Sequence, residues 1–241
     1  RPRAPDSGRH QRNHARHHCA AHAGRGCDGS HQIVPRHSDQ GQPFMDLFIP
    51  PSPAAGVDRF GRQFKNWREW NNAKDFLKNL DIEFNPKNLF CVQPDPPDVV
   101  YEEIRLEIKE IMDEGRKRHD EVKDEIAKHG RTLPYVSNPQ RLLFDLLPLD
   151  AANLILKNLD SYELTQKYKS PFKANTDLLF YINKKYHHFD DGEMPSPAIF
   201  EKYGWRSISC IVRSDVSIIF HTSTNAPPLL KDRVGKYFET S

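Results

Sequence analysis

Asp98, Glu107 and Lys109 are the residues of this chain whose types and spacing could do chemistry, and they stand in the stretch DPPDVVYEEIRLEIK, residues 95–109. If Val99 to Tyr101 and Ile104 to Ile108 are strands joined by a turn at Glu102-Glu103, Tyr101 faces Ile104 and Asp98 falls opposite Glu107. Val99, Tyr101, Ile104, Leu106 and Ile108 then share one apolar face, directed at a core. Asp98, Val100, Arg105, Glu107 and Lys109 share the other. Like charges facing each other across a ladder destabilise it, so two carboxylates there ask for a cation. Mg²⁺ or Mn²⁺ supplies one, since a hard divalent ion takes carboxylate oxygens and completes its shell with water and phosphate. Lys109, two residues past Glu107 on the same face, can orient a water and offset charge developing on phosphate. The chemistry this predicts is phosphodiester hydrolysis. A plainer alternative makes Glu107 and Lys109 a solvated face of an edge hairpin, neutralised by Arg105, because antiparallel sheets commonly expose one polar face.

Other elements must position that hairpin. Phe60, Phe64, Trp67, Trp70, Ala73, Leu77 and Leu80 recur at spacings of three and four, which predicts an amphipathic helix over 57–80 with Trp67 and Trp70 as core rather than stacking platforms. A strand is expected at Asn88 to Val92. The helix formers from Met112 onward predict a second helix stopping at Gly130. A third is expected over 147–169, starting near Asp150 and closed before Pro171. DLLFYIN, residues 177–183, reads as a buried strand. Ser196-Pro197 opens a short helix ending at Gly204. WRSISCIVR and VSIIFHT, separated at Ser214-Asp215, read as a hairpin, with Tyr203, Trp205 and Phe220 packing the sheet. His187-His188 with Asp190-Asp191 is expected to be a loop rather than a metal cluster. This order predicts an α/β (α+β) fold: a mixed sheet flanked by helices.

Pro97-Asp98, a gap of eight residues, then Glu107-Ile108-Lys109 resembles the signature of the PD-(D/E)XK superfamily, whose fold is restriction-endonuclease-like. The wider text, DPPD followed by EIKEIMDEGRKRHDE and later GWRSISCIV, resembles more narrowly a family of uncharacterised bacterial proteins assigned to endonucleases of that fold, over roughly residues 57–230. The resemblance implies a helix, a three-stranded meander, a crossover helix and a further strand. It also implies Asp98 and Glu107 as metal ligands with Lys109 as the catalytic lysine. In nucleases of this fold a helix acid often assists the metal, and Glu69 is the most central acid of the first helix. Asp113, Glu114, Arg116 and His119 follow the strand directly, and helical spacing would turn Arg116 and His119 toward the scissile phosphate. The function so implied is a metal-dependent endonuclease acting on nucleic acid, DNA rather than RNA, with a homodimer as many double-strand cutters need. The rival reading is an inactive nuclease-like fold that only binds nucleic acid or a protein.

Charge divides the chain. Residues 1–44 hold seven Arg, no Lys, seven of the twelve His and three acids, leaving 28 basic and 30 acidic side chains in residues 45–241. The body therefore has no excess of cations for unspecific phosphate binding. Residues 1–44 lack apolar periodicity and read as a disordered leader, with Met45 as the expected start of a nuclease-like domain over 45–241. His17, His18, Cys19, His22 and Cys27 match no common zinc spacing. The two body cysteines, Cys91 and Cys210, lie among apolar residues, which argues against a disulfide framework and for a cytoplasmic protein. No apolar run reaches the roughly 18 residues a membrane helix needs.

Overall fold

Apolar side chains at helical spacing make Lys65–Asn79 a helix, α1, that buries Ala73, Phe76 and Leu77. The computed structural model describes residues 46–50, 64–116 and 144–240. The meander that follows α1 comprises β2 (Leu89–Gln93), β3 (Val99–Tyr101) and β4 (Ile104–Met112), with β1 (Asp46–Phe48) antiparallel to β2 on its outer side. In the β3–β4 hairpin Val99 pairs with Leu106, Val100 with Arg105 and Tyr101 with Ile104. The turn at Glu102-Glu103 closes with Glu102 in the left-handed region, at φ 51°.

The chain next forms β5 (Phe144–Leu146), α2 (Pro148–Leu159), α3 (Tyr162–Lys167) and α4 (Ser170–Lys173), and enters β6 (Asp177–Asn183) parallel to β4. The strands β7 (His187–Phe189), β8 (Ser207–Val212), β9 (Val216–Thr222) and β10 (Lys236–Glu239), with helices α5 (Ala198–Glu201) and α6 (Pro228–Lys231), complete the described residues. Among them an eight-stranded mixed sheet runs β1-β2-β3-β4-β6-β8-β9-β10, and β5 pairs with β7 apart from it. The central strands β6 and β8 are parallel neighbours whose runs DLLFYIN and SISCIV are buried on both faces, as parallel strands covered by helices are.

One face of the sheet packs on α1, through Val99, Tyr101, Ile104, Leu106 and Ile108. The other packs on Ala151, Ala152, Ile155 and Leu159 of α2, with Tyr168, Phe200 and Trp205, against Leu178, Phe180 and Ile182 of β6. Buried Asp177 ties β4 to β6 and β8. Its carboxylate accepts the Arg105 amide at 3.0 Å, Ser207 Oγ at 2.8 Å and Arg206 Nε at 3.1 Å, so the buried charge is paired and hydrogen-bonded.

Several elements differ from expectation. The helix expected over 147–169 breaks at Asp160-Ser161 into α2 and α3, and Pro171 sits inside the one-turn α4. The start of α2 is earlier than Asp150: Pro148 takes the first turn, and Asp150 accepts the Leu147 amide at 3.3 Å. The helix expected from Ser196 forms only over Ala198–Glu201, with Pro197 as its N-cap. Met112 belongs to β4 rather than to a helix, and the expected helix beyond Arg116 lies outside the described residues, as does the start of the helix expected from residue 57. His187-His188 is a strand, not a loop, because β5 offers it a parallel partner. The β8–β9 connection is a three-residue turn, Arg213 to Asp215, with Arg213 at φ 56°.

Candidate active site

The register of the β3–β4 hairpin puts Asp98 across from Glu107. The ladder extends one step past β3, with the Asp98 amide donating to Leu106 O at 3.0 Å and the Val92 amide donating to Asp98 O at 3.1 Å. Asp98 Oδ2 then accepts the Ile108 amide at 2.8 Å, which fixes the carboxylate beside β4. Both acids are buried, Asp98 at 5% exposure and Glu107 at 1%. The solvated-face alternative for Glu107 fails for a tertiary reason: the segment between α3 and α4 covers that face and lays Tyr168 on it.

Tyr168 donates a hydrogen bond to Glu107 Oε1, and Lys109 Nζ lies 2.9 Å from the same oxygen. Glu107 Oε2 is buried with no hydrogen-bond partner. An orphaned buried carboxylate oxygen carries an unrelieved desolvation cost, so the site is shaped for something that meets it. Asp95, on the approach to β3, completes a group in which Asp95, Asp98 and Glu107 each offer an oxygen, all within 4.8 Å of one another. Three hard oxygen donors fit a divalent cation such as Mg²⁺ or Mn²⁺, and Glu107 has an oxygen that no hydrogen bond meets.

A second cation side chain enters from α1. Lys65 Nζ contacts Asp95 Oδ2 at 2.8 Å, Glu69 Oε1 at 3.1 Å and Asp98 Oδ1 at 3.2 Å. Lys65, Asn66, Glu69, Gln93, Asp95 and Asp98 line a cleft on the α1 side of these acids. Burial, and then the neighbouring Asp98, push the Glu69 carboxyl up to about 8. Asp98 rises to about 6, through burial first and the charge of Glu107 second, against the pull of the Ile108 amide and Lys65. Burial and the bond to Glu107 hold the Tyr168 hydroxyl well above its ordinary value. Burial pulls the Lys65 ammonium down, but its contacts with Asp95, Asp98 and Glu69 outweigh that and hold it raised. Cys91, whose thiol lies 3.4 Å from Asn66 O, is pushed up to about 12 by burial and the nearby acids, which leaves it inert as a nucleophile.

The structure thus brings together Asp98, Glu107, Lys109 and Glu69. It does not bring Asp113 or Arg116 to them. Asp113 accepts the Lys185 amide at 2.8 Å, and Arg116 Nη1 donates to Asn183 O at 2.7 Å, so the pair fastens the exit of β4 to that of β6. At about 3.3 Å per extended residue, Asp113 is displaced along β4 by about 20 Å from Glu107. Glu114 is exposed in the turn between them, and His119 lies outside the described residues. Lys65, Asp95 and Tyr168 are the residues that sequence reasoning missed. Two left a signal: Asp95 opens the same DPPD string, and Lys65 precedes Glu69 by one helical turn. Tyr168 left none, being 61 positions from its partner.

Next to Tyr168 runs KYKSPFK, residues 167–173. Lys167 and Lys109 stand over its ring at 4.9 and 5.4 Å, Lys173 stands 5.7 Å over the ring of Trp205, and Lys169 is exposed between them. A cationic rim therefore borders the acids.

A family model described as "Putative endonuclease, protein of unknown function (DUF1780)" matches residues 53–241. Among solved structures, the fold is similar to that of a protein of unknown function from Pseudomonas aeruginosa strain PAO1, described as of the monooxygenase superfamily. The TM-score is 0.53 at 18% identity, over 73% of this chain and 83% of that one. At that identity the likeness is one of fold alone. No curated protein matches.

Proposed function

Because the chain belongs to the DUF1780 family, we propose that it is a metal-dependent endonuclease of the PD-(D/E)XK kind that hydrolyses phosphodiester bonds in DNA. The observation that carries this reading is the buried Glu107, grouped with Asp98 and Asp95 within 4.8 Å and left with one oxygen, Oε2, that no hydrogen bond meets. Asp98 and Glu107, with Asp95, would hold Mg²⁺ or Mn²⁺, which when bound polarises a phosphate oxygen and acidifies a water.

The chain's own residues supply the rest. Tyr168 and Lys109 both engage Glu107 Oε1, which leaves Oε2 as the free donor and fixes its direction. Lys109 uses one N–H on Glu107 and keeps two, and with 21% of its side chain exposed it can reach an attacking water or a non-bridging oxygen. The Ile108 amide holds Asp98 against rotation. Lys167, Lys169 and Lys173 offer point charges to the phosphates on either side of the scissile bond.

Incubating the purified protein with supercoiled plasmid, with and without Mg²⁺, tests the reading. Nicking is expected only with the ion, and Asp98→Asn and Lys109→Ala should each lower its rate by about 10²–10³-fold. Metal-independent nicking, or full activity in both variants, overturns it.

A further inference from the structure

Lys65 is poorly placed for a surface lysine. It is the first residue of α1, where the helix dipole disfavours a cation, and α1 has neither a side-chain cap nor an acid in its first turn. Its ammonium nevertheless meets three carboxylates, Asp95, Glu69 and Asp98, at 2.8, 3.1 and 3.2 Å, one for each N–H it can donate. Asp98 is shared: Oδ1 faces Lys65, while Asp98 also belongs to the group with Asp95 and Glu107. Asp95 and Asp98 thus stand both against Lys65 and in the group with Glu107, so the protein itself supplies one cation to these acids.

Charge arithmetic agrees. The four carboxylates Glu69, Asp95, Asp98 and Glu107 face the two ammonium groups of Lys65 and Lys109, which leaves two negative charges when all are ionised, the charge one divalent ion cancels. Without Lys65 the excess of carboxylates over ammonium groups grows by one. In two-metal phosphodiesterase sites the ions lie about 3.5–4 Å apart, and Asp95 and Asp98 each belong to both sets of contacts here.

We infer that Lys65 is a resident cation: its ammonium occupies a second metal position bounded by Glu69, Asp95 and Asp98, and so limits the centre to one divalent ion. This rests on the metal-binding reading above, but its readout is the number of ions bound, not cleavage. The full chain is titrated with Mn²⁺ alone by calorimetry and followed by electron paramagnetic resonance. Wild type should take one ion per chain with an uncoupled spectrum. Lys65→Met should take two, with the signature of a spin-coupled pair. The double variant Lys65→Met/Glu69→Gln restores the net charge, guards against unfolding of the single variant by four crowded acids, and should return the count to one.

A single ion in folded Lys65→Met, two in wild type, or two in the double variant each overturn the inference and leave the nuclease reading standing. No Mn²⁺ bound by wild type or by either variant removes both.

Discussion

Glu107 has two unequal oxygens. Oε1 is held by Tyr168 and Lys109 while Oε2 is bare, an asymmetry that turns a buried carboxylate from a liability into a directed donor. Tyr168 touches Glu107, so in the proposed mechanism it would act through that carboxylate, and its removal should be felt in the site's affinity for an ion. Tyr168→Phe keeps the ring that packs near Phe172 and Trp205 but loses the hydroxyl. Mn²⁺ affinity measured by calorimetry is expected to fall by about 10–100-fold with the fold intact. An unchanged dissociation constant would make the bond to Glu107 merely structural.

At the scale of elements, α1 presents Lys65 and Glu69 while the approach to β3 and β4 present Asp95, Asp98 and Glu107, and the packing of α1 on the hairpin sets the geometry between them. Phe76 is fully buried, and its carbonyl accepts Ser217 Oγ at 3.1 Å, so this residue anchors α1 to the sheet. Phe76→Ala should cost about 3–5 kcal/mol in urea unfolding. Because Lys65 and Glu69 ride on the same helix, nicking should weaken alongside stability; a loss below 1 kcal/mol would show that α1 is held elsewhere. The connection from α3 to α4 carries a separable role, charge. Replacing both Lys167 and Lys169 by Ala should weaken duplex DNA binding and flatten the plot of log affinity against log salt by about 2, roughly 0.9 per lost phosphate contact. An unaltered slope would place the DNA elsewhere.

The whole molecule holds its site in a sheet covered on both faces, and no helix among the described residues is long and apolar enough to cross a membrane. Near-neutral charge in residues 45–241 means that attraction for a polyanion must come from a local rim rather than from the net field. Stability should depend on pH through His221 of β9, which is buried at 6% exposure and which burial holds below its ordinary value of 6.5, against the opposing pull of Glu201 and Pro197. A histidine depressed in the folded state binds its proton more readily when unfolded. Its contribution is therefore complete above pH 6.5 and is lost as pH falls below that. Glu69 and Asp98, raised in the folded state, pull the other way over the same range, so the His221 share is read as a difference: the melting temperature of His221→Gln minus that of wild type should rise as pH falls from 7 to 5. Equal slopes in the two proteins would assign the acid limb to other groups.

Local pattern determined the hairpin. Alternation in VVYEEIRLEIK fixes which side chains share a face, the turn at Glu102-Glu103 fixes the register, and those two facts alone set Asp98 against Glu107. Helical spacing likewise determined α1, and continuous apolar runs determined β6 and the β8–β9 pair, because each of these signals lies within one element. Sequence did not determine that α2 would break from α3 at Asp160-Ser161, or that His187-His188 would find β5 as a partner, since both depend on what packs alongside. Nor did it reveal the cationic rim, whose lysines stand in one short run but gain meaning only from where Tyr168 lies. The burial of Glu107, its hold by Tyr168 and the lodging of Lys65 among three acids were decided by the tertiary structure alone. Apart from Lys65 and Glu69, one turn apart on α1, the partners stand 30 to 61 positions apart, and such separations leave no periodicity to read.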